Sequence, residues 1–315
     1  MVLKREFMEF IEKVSRCIKE AQESGSLLER EDVLSGYSGK KLYGTLQRLA
    51  KEVLTEDTCY LEVGVYQGLT LLSTALANPK ASFYGIDNFA FFDPEGKNKS
   101  LVEERTAKLG LENTTLINAD YEDALENLEQ YIGDKKVGVY FIDGPHDYRS
   151  QLMCLLLIKP YLADNAVILI DDSNYRHVRQ ANRDFLKTDT DFKLLFESYT
   201  PAHPMNLKGK DKEKALQGWW DGINIIVKDA KGQLNQEFPE TLRNRDLYEN
   251  EHLLHASQYP EQTLFLWEIM KKFKLYPLLN ILRKPKKEYS GKFKNANTYS
   301  EGLSQNGKFN SSLDS

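Results

Sequence analysis

The chain has 315 residues, 42 Lys and Arg against 47 Asp and Glu, a formal net charge of -5, and is 41% hydrophobic and 28% charged. That composition is ordinary for a globular protein able to bury a core without disulfide or metal staples, and the length suits one large domain or two smaller ones. The acidic balance argues against a nucleic-acid binder, no window offers the ~20 apolar residues that span a bilayer, and Met1-Val2-Leu3-Lys4-Arg5-Glu6 lacks the apolar stretch of a signal peptide.

In chain order, residues 1–24 predict an amphipathic helix, with Phe7, Phe10, Ile11, Val14 and Ile18 at helical spacing. Its stripe suits packing on the core or on a second copy, so a homodimer is admissible. A first strand is expected at 58–65, a nearly continuous apolar run of the kind buried on both faces. A helix from about 68 follows and stops at Asn78-Pro79. Strands are then expected at 82–87, 114–118, 137–142 and 166–170, separated by helices near 100–109, 123–131 and 148–161. A further helix spans about 177–186. Strands at 192–196 and 222–227 are joined by a stretch with Pro201, Pro204, Gly209 and several lysines, read as a loop or short excursion. Two strands joined without a helix can pair antiparallel. The expected fold is therefore α/β: a Rossmann-like, doubly wound, seven-stranded sheet with one antiparallel strand and helical appendages at both ends.

These signals divide the chain into an N-terminal helical cap (1–50), a nucleotide-cofactor core (51–230), a C-terminal helical extension (231–282) and a polar tail (283–315) expected to be disordered. The extension carries an apolar run at 262–282 with Leu264, Phe265, Trp267, Ile269, Met270 and Phe273. The three cysteines, Cys17, Cys59 and Cys154, are odd in number and widely spaced. They read as small buried hydrophobes in a reducing, cytoplasmic compartment. Cys/His spacing of the structural-metal type is absent.

In a doubly wound sheet ligands sit at the carboxyl ends of the strands. The first strand ends in Glu62-Val63-Gly64-Val65-Tyr66-Gln67-Gly68. Gly64 permits a tight turn and Gly68 opens the helix, but Tyr66 replaces the second glycine of the dinucleotide pattern. Glu62, an acid in an apolar strand end, needs backbone N–H groups or a cation as partners. Asp87-Asn88 ends the second strand, where an acid suits a two-pronged grip on ribose hydroxyls. Asn118-Ala119-Asp120-Tyr121 ends the third, placed for a base edge and face. The fourth and fifth strands end in Asp143-Gly144-Pro145-His146-Asp147-Tyr148 and Asp171-Asp172-Ser173-Asn174. If these strands are neighbours, Asp143, Asp171 and Asp172 converge, and three carboxylates sharing a site need a cation or protons. Hard oxygen ligands favour Mg²⁺, Mn²⁺ or Ca²⁺. The alternative is that Asp172 caps a helix and Asp143 turns the chain.

Together these strand ends resemble the class I S-adenosylmethionine (SAM) methyltransferases. Leu61 to Leu72 is similar to the corresponding run of the caffeoyl-CoA O-methyltransferase group, which also tolerates Tyr in place of the second glycine. The run Phe141 to Tyr148 resembles a phrase of the broad bacterial methyltransferase family 24. The resemblance covers about residues 35–228. It implies SAM bound by Glu62, Gly64, Tyr66, Gln67, Gly68, Asp87, Asn88, Asp120, Tyr121 and Asp143. It also implies a divalent metal held by Asp143, Asp171 and Asp172, with Asp172 standing where the catechol enzymes carry Asn. An Asp-Asp pair also appears in antibiotic-sugar O-methyltransferases. His146 stands at the position of the catechol enzyme's catalytic Lys and would act as base beside Asp143. The segments 36–43 and 201–221 would cover the site, with His203, Trp219 and Trp220 as candidate acceptor contacts. The expected reaction is metal-assisted O-methylation of a small-molecule hydroxyl on a sugar, polyketide or phenol. Alternatives are a metal-independent methyltransferase, an NAD-dependent oxidoreductase and a non-catalytic binding module on the same fold.

Overall fold

The computed structural model describes residues 2–90, 92–93, 95–241, 260–275 and 303–313. The chain forms two compact units, one of Met1–Thr241 with Asn297–Ser315 and one of Leu242–Ala296. The first begins with α1 (Val2–Ser24) and α2 (Lys40–Val53). Alternation follows: β1 (Thr58–Val63), α3 (Leu69–Ala77), β2 (Ser82–Ile86), α4 (Asn98–Lys108), β3 (Thr114–Ile117), the short α5 (Tyr121–Glu126) and α6 (Glu129–Ile132), β4 (Lys136–Ile142), α7 (Tyr148–Leu157), β5 (Leu162–Ile170) and α8 (Arg176–Thr188). β6 (Phe192–Ser198), α9 (Gly209–Gln217) and β7 (Ile223–Lys228) complete the core.

With β8 (Lys308–Phe309), the strand order is β3-β2-β1-β4-β5-β7-β6-β8. β1 to β5 pair parallel, and β7 runs antiparallel between β5 and β6. The apolar runs of β1, β4 and β5 make sense in the middle of the sheet, because both faces are covered. Tyr60, Phe83 and Phe141 are buried on one face; Leu61, Tyr140 and Ile168 are buried on the other. The expected doubly wound sheet with an antiparallel β7 is therefore present.

Three details differ from expectation. The sheet has an eighth strand, β8 (Lys308–Phe309), which pairs antiparallel with β6. Residues 303–313 thus return to the core instead of ending a loose polar tail. Phe309 packs on Phe196 with ring centroids 4.9 Å apart, and Asn310 Nδ2 donates to Leu194 O and Asn235 O at 2.9 Å. One aromatic and one amide in a Ser/Asn/Gly-rich segment give no periodic signal. Second, the 201–218 stretch contains a helix, α9. It buries only Ala215, so it lacks the apolar stripe by which a helix is read. Third, the helix expected at 123–131 is split into α5 and α6.

The stripe of α1 is consumed within the chain: Phe7, Phe10, Ile11, Val14 and Ile18 are buried with Leu42, Leu46 and Leu49 of α2. α2 can approach closely because it carries Gly44, where a Cβ would meet Gly25 O at 2.3 Å. In the second unit, α10 (Pro260–Lys272) covers the start of the predicted 262–282 helix, with Phe265 and Leu266 exposed; residues 276–282 lie outside the described residues. Among the described residues no helix is long and apolar enough to cross a membrane.

Because the Gly44 contact is with backbone, which cannot swing aside, Gly44→Ala should destabilise the protein by about 2 kcal/mol or more. Urea denaturation monitored by circular dichroism checks this; an unchanged midpoint would contradict the packing described for α1 and α2.

Candidate functional site

The parallel ladder aligns the carboxyl ends of five strands. Asp87 N donates to Ile117 O (3.1 Å), Gly64 N to Ile86 O (2.9 Å), Asp143 N to Val63 O (2.8 Å) and Asp171 N to Ile142 O (3.0 Å). Each bond hands the register on by one strand, so Asp87, Gly64, Asp143 and Asp171 stand in a row. Above them opens a cleft of about 910 Å³. Gly64 has φ 93°, and a Cβ there would lie 1.9 Å from the carbonyl oxygen of Asp143. Any other residue would push the β1 and β4 loops apart.

The expected site residues divide into two groups. Gly64, Tyr66, Asp87, Asn88, Asp120, Tyr121, Asp143, His146, Asp171 and Asp172 all line the cleft. Glu62, Gln67 and Gly68 do not. Glu62 is fully buried beneath the loop, accepting from Tyr60 Oη (2.5 Å) and Thr70 Oγ1 (2.7 Å). Its expected backbone or cation partners are replaced by two hydroxyls. Burial pushes its pKa up to about 8, against the pull of these two bonds. Gln67 Nε2 donates to Asn98 Oδ1 (3.1 Å), and Gln67 O accepts from Arg105 Nη1 (2.6 Å). Gly68, at φ 82°, caps α3.

Asp87 departs from the expected two-pronged grip. Its Oδ2 accepts from Val65 N (2.9 Å) and Tyr66 N (2.8 Å), and its Oδ1 from Phe89 N (2.7 Å). Two bonds fill Oδ2, and only Oδ1 keeps a lone pair for a ligand. Asp87 is thus first a clamp on the glycine turn. Asp120 caps α5, accepting from Glu122 N (2.9 Å), and Tyr121 beside it lines the cleft.

Beyond β4 and β5 the acids gather. His146 Nε2 lies 2.7 Å from Asp172 Oδ2. Asp143, His146 and Asp172 present ligand atoms within 4.8 Å of one another. Asp171 lines the cleft, but its Oδ1 accepts from Asp172 N (2.8 Å), and it falls outside that group. The converging set is therefore two carboxylates and an imidazole rather than three carboxylates. Burial, then Asp171 and Asp172, raise the pKa of Asp143 well above the carboxylate range; burial and Asp172 do the same to Asp171. Burial alone would lower the His146 pKa, but the charge and hydrogen bond of Asp172 outweigh it and the net direction is up. Asp172 Oδ1 is buried without a partner, and its backbone is left-handed at φ 51°.

Several neighbours carried no sequence signal. Asp221 is fully buried; Asn174 Nδ2 donates to its Oδ1 at 2.7 Å, and its Oδ2 has no partner. Burial and Asp172 raise its pKa. Tyr175 stacks on His146 at 5.3 Å. His177 also lines the cleft. Of the expected acceptor contacts, His203 and Trp220 line it, whereas Trp219 packs on Phe196 at 5.4 Å. Gly36, Tyr37 and Ser38, from the segment 36–43, form part of the wall. All three cysteines are buried, and burial pushes the Cys17 and Cys59 thiols up to about 12, so neither is a thiolate near neutral pH.

Glu62 makes stability depend on pH. Its native pKa of about 8 lies above the ordinary carboxyl value of 4.5. Between these values the native state holds a proton the unfolded chain has lost, so stability falls as pH rises through that window and levels off above it. Glu62→Gln is neutral throughout and should gain on the wild type by on the order of a few kcal/mol between pH 5 and 8. Urea melts across that range test this; parallel curves would sink it.

Residues 61–173 match the methyltransferase 24 family model, described as a methyltransferase domain. No curated protein matches the chain. Among solved structures it is similar to the O-methyltransferase TomG from Streptomyces achromogenes, involved in tomaymycin synthesis and solved with SAM; identity is 15%, over 69% of this chain and 89% of that one, with a TM-score of 0.45. The O-methyltransferase from Bacillus cereus in complex with SAH matches at 12% identity, over 70% and 90%, with a TM-score of 0.45. The SAH-bound Podospora anserina methyltransferase PaMTH1 matches at 16%, over 69% and 87%, with a TM-score of 0.43. At these scores the likenesses carry no argument about the reaction. The segment that matches the methyltransferase-domain model holds the glycine turn and the carboxylates of the cleft.

Proposed function

We propose that the protein transfers a methyl group from SAM to a hydroxyl oxygen of a small molecule. The observation that carries the cofactor assignment is the charge of the cleft. Acids that line the cleft follow four of the five parallel strands, β2 to β5, and among the described residues the single guanidinium on the wall, Arg149, is paired with Glu122. SAM bears a sulfonium and an ammonium against one carboxylate, a net positive charge that such a cleft favours. The pyrophosphate of NAD would meet carboxylates instead, and Tyr66 puts a side chain where the dinucleotide turn needs bare backbone.

The adenosine end of the cofactor falls to Asp87 Oδ1, Asn88, Asp120 and Tyr121; Gly64 lets its amino-acid end approach the strand ends. Bound there, SAM supplies a methyl on a positive sulfur that leaves as a neutral thioether. The acceptor oxygen must lie in line behind that methyl, and holding it there supplies much of the rate. Where no cation is bound, His146 is placed to take the hydroxyl proton: with Nε2–H directed at Asp172, Nδ1 carries the lone pair.

The group Asp143, His146 and Asp172 fits a divalent cation. Its carboxylates repel one another, and the buried Asp172 Oδ1 lacks a partner. One imidazole among the donors suits Mn²⁺ better than an all-oxygen set would, and Mg²⁺ less. Bound there, a cation would lower the acceptor pKa and fix its direction. The 2.7 Å His146–Asp172 pair favours a second reading, in which the dyad removes the proton without metal.

Calorimetry separates these readings. S-adenosylhomocysteine should bind and NAD⁺ should not; the reverse result would overturn the methyltransferase reading. Mn²⁺ should bind the wild type and be lost in Asp172→Ala. If Mn²⁺ does not bind while S-adenosylhomocysteine does, the metal-free dyad stands.

A further inference from the structure

α10 and the residue after it turn three large apolar side chains to solvent, Phe265 (64% exposed), Leu266 (59%) and Phe273 (63%). No other helix among the described residues exposes more than one. Phe273 continues the helix, since its N–H donates to Ile269 O at 3.0 Å. At ~100° per residue, Phe265, Leu266, Ile269, Met270 and Phe273 fall on one side of α10, within about 140° of arc. Ile269 and Met270 are half-buried. Single exposed apolar side chains are commonplace, but a contiguous face marks an interaction surface.

The charge beside that face indicates what covers it. Lys271 and Lys272 in the last turn and Lys274 just past it are exposed, against the exposed acid Glu268. From Lys271 to Lys294 the sequence holds nine Lys and Arg and one acid, Glu288, in a chain whose formal net charge is -5. A basic stretch set apart in an acidic protein calls for a partner that is negative at its surface and apolar beneath. An anionic bilayer is both: acyl chains take the Phe and Leu side chains, and phosphate headgroups take the ammonium groups, which long stems carry outward. A nucleic acid offers phosphates and base faces, but little that repays covering Leu266, Ile269 and Met270. A second copy of the chain would bring an equally basic stretch to the same interface. The 13 residues of α10 extend ~20 Å, short of the ~30 Å hydrocarbon core, so the helix lies along a membrane surface and does not cross it.

We propose that α10 binds the interface of an anionic lipid bilayer and holds the protein there as a peripheral membrane protein. The face from Phe265 to Phe273 enters the acyl boundary while Lys271, Lys272 and Lys274 stay among the headgroups. A short apolar face and a basic cluster are each weak anchors, and stable attachment takes both. Attachment of this kind is independent of the methyl-transfer reading, since α10 contributes no residue to the cleft.

The test is flotation of the full chain with vesicles of phosphatidylcholine alone and with vesicles containing an equal amount of phosphatidylglycerol. The anionic vesicles should bind at least about tenfold more tightly, and salt at about 1 M should remove most of the difference. Phe265→Ser with Phe273→Ser should weaken binding to the anionic vesicles at least about tenfold. Lys271→Glu with Lys272→Glu should abolish the preference for phosphatidylglycerol while leaving the apolar face intact. All four side chains are exposed, so the circular dichroism spectrum should be that of the wild type; if the serine variant loses it, the glutamate variant decides. No flotation with the anionic vesicles, equal binding to both kinds, or binding that neither variant changes would overturn the proposal. So would tighter binding to poly(U) RNA than to the anionic vesicles, or a dimer in analytical ultracentrifugation that the serine variant dissociates, because the face would then belong to a nucleic acid or to a second copy.

Discussion

The site depends on one close approach of backbone to backbone. Gly64 lies against the carbonyl of Asp143 with no room for a Cβ. That contact lets β1 and β4 end at the same level, and the ladder bonds carry the level outward to Asp87 and Asp171. Everything chemically interesting stands on this row. Had the loops been held apart by a single methyl group, Asp143 would have no fixed distance to His146 and Asp172, and the glycine turn would not reach the hydrogen bonds of Asp87.

Levelling the strand ends also concentrates negative charge where water is scarce. Asp143, Asp171 and Asp221 all have their ionised forms disfavoured. Isolated, such a cluster would be a liability; beside a sulfonium or a divalent cation it becomes a receptor. The backbone tells a similar story. Of the six described non-glycine residues with positive φ, Tyr66, Phe92, Asp172 and Trp220 line the cleft. Left-handed backbone costs on the order of 1–3 kcal/mol for such residues. Here it persists because neighbours over-determine it: Asn174 N donates to Asp221 O, Ser173 N to Gly222 O, and Thr200 Oγ1 to Trp220 O. The Asp172 loop and the Trp220 wall are thereby tied to each other.

The sheet and its strand ends were legible because burial on both faces leaves continuous apolar runs, and because an acid after such a run is conspicuous. Gly64, Asp87, Asp143 and Asp172, which line the cleft, stand out in the sequence that way. What the sequence hid follows from the same logic. Glu62 looked like a ligand contact because an acid in a strand end stands out, but whether it faces the cleft or the helix beneath is decided by side-chain direction, and Thr70 claims it. His146 joins Asp143 and Asp172 in the converging group where Asp171 was expected, because a turn, not a strand, orients its side chain. Asp221 and Tyr175 are brought in by tertiary packing of segments with no motif. α9 and β8 were missed because neither has an apolar period to detect.

The return of residues 308–309 to β6 has a consequence for the newborn chain. Until that segment leaves the ribosome, β6 is the outer strand of an otherwise finished sheet, and it must stay so while the whole second unit is being made. An open strand edge is a template for pairing with another chain. Lys193 and Glu197 place opposite charges along this edge, flanking Leu194 and Phe196. Such charges discourage a neighbour from docking, while Lys308 can approach Glu197 to 4.0 Å when the rightful strand arrives. The same two residues that end up buried in the finished sheet would, for the duration of synthesis, act as its guard against aggregation.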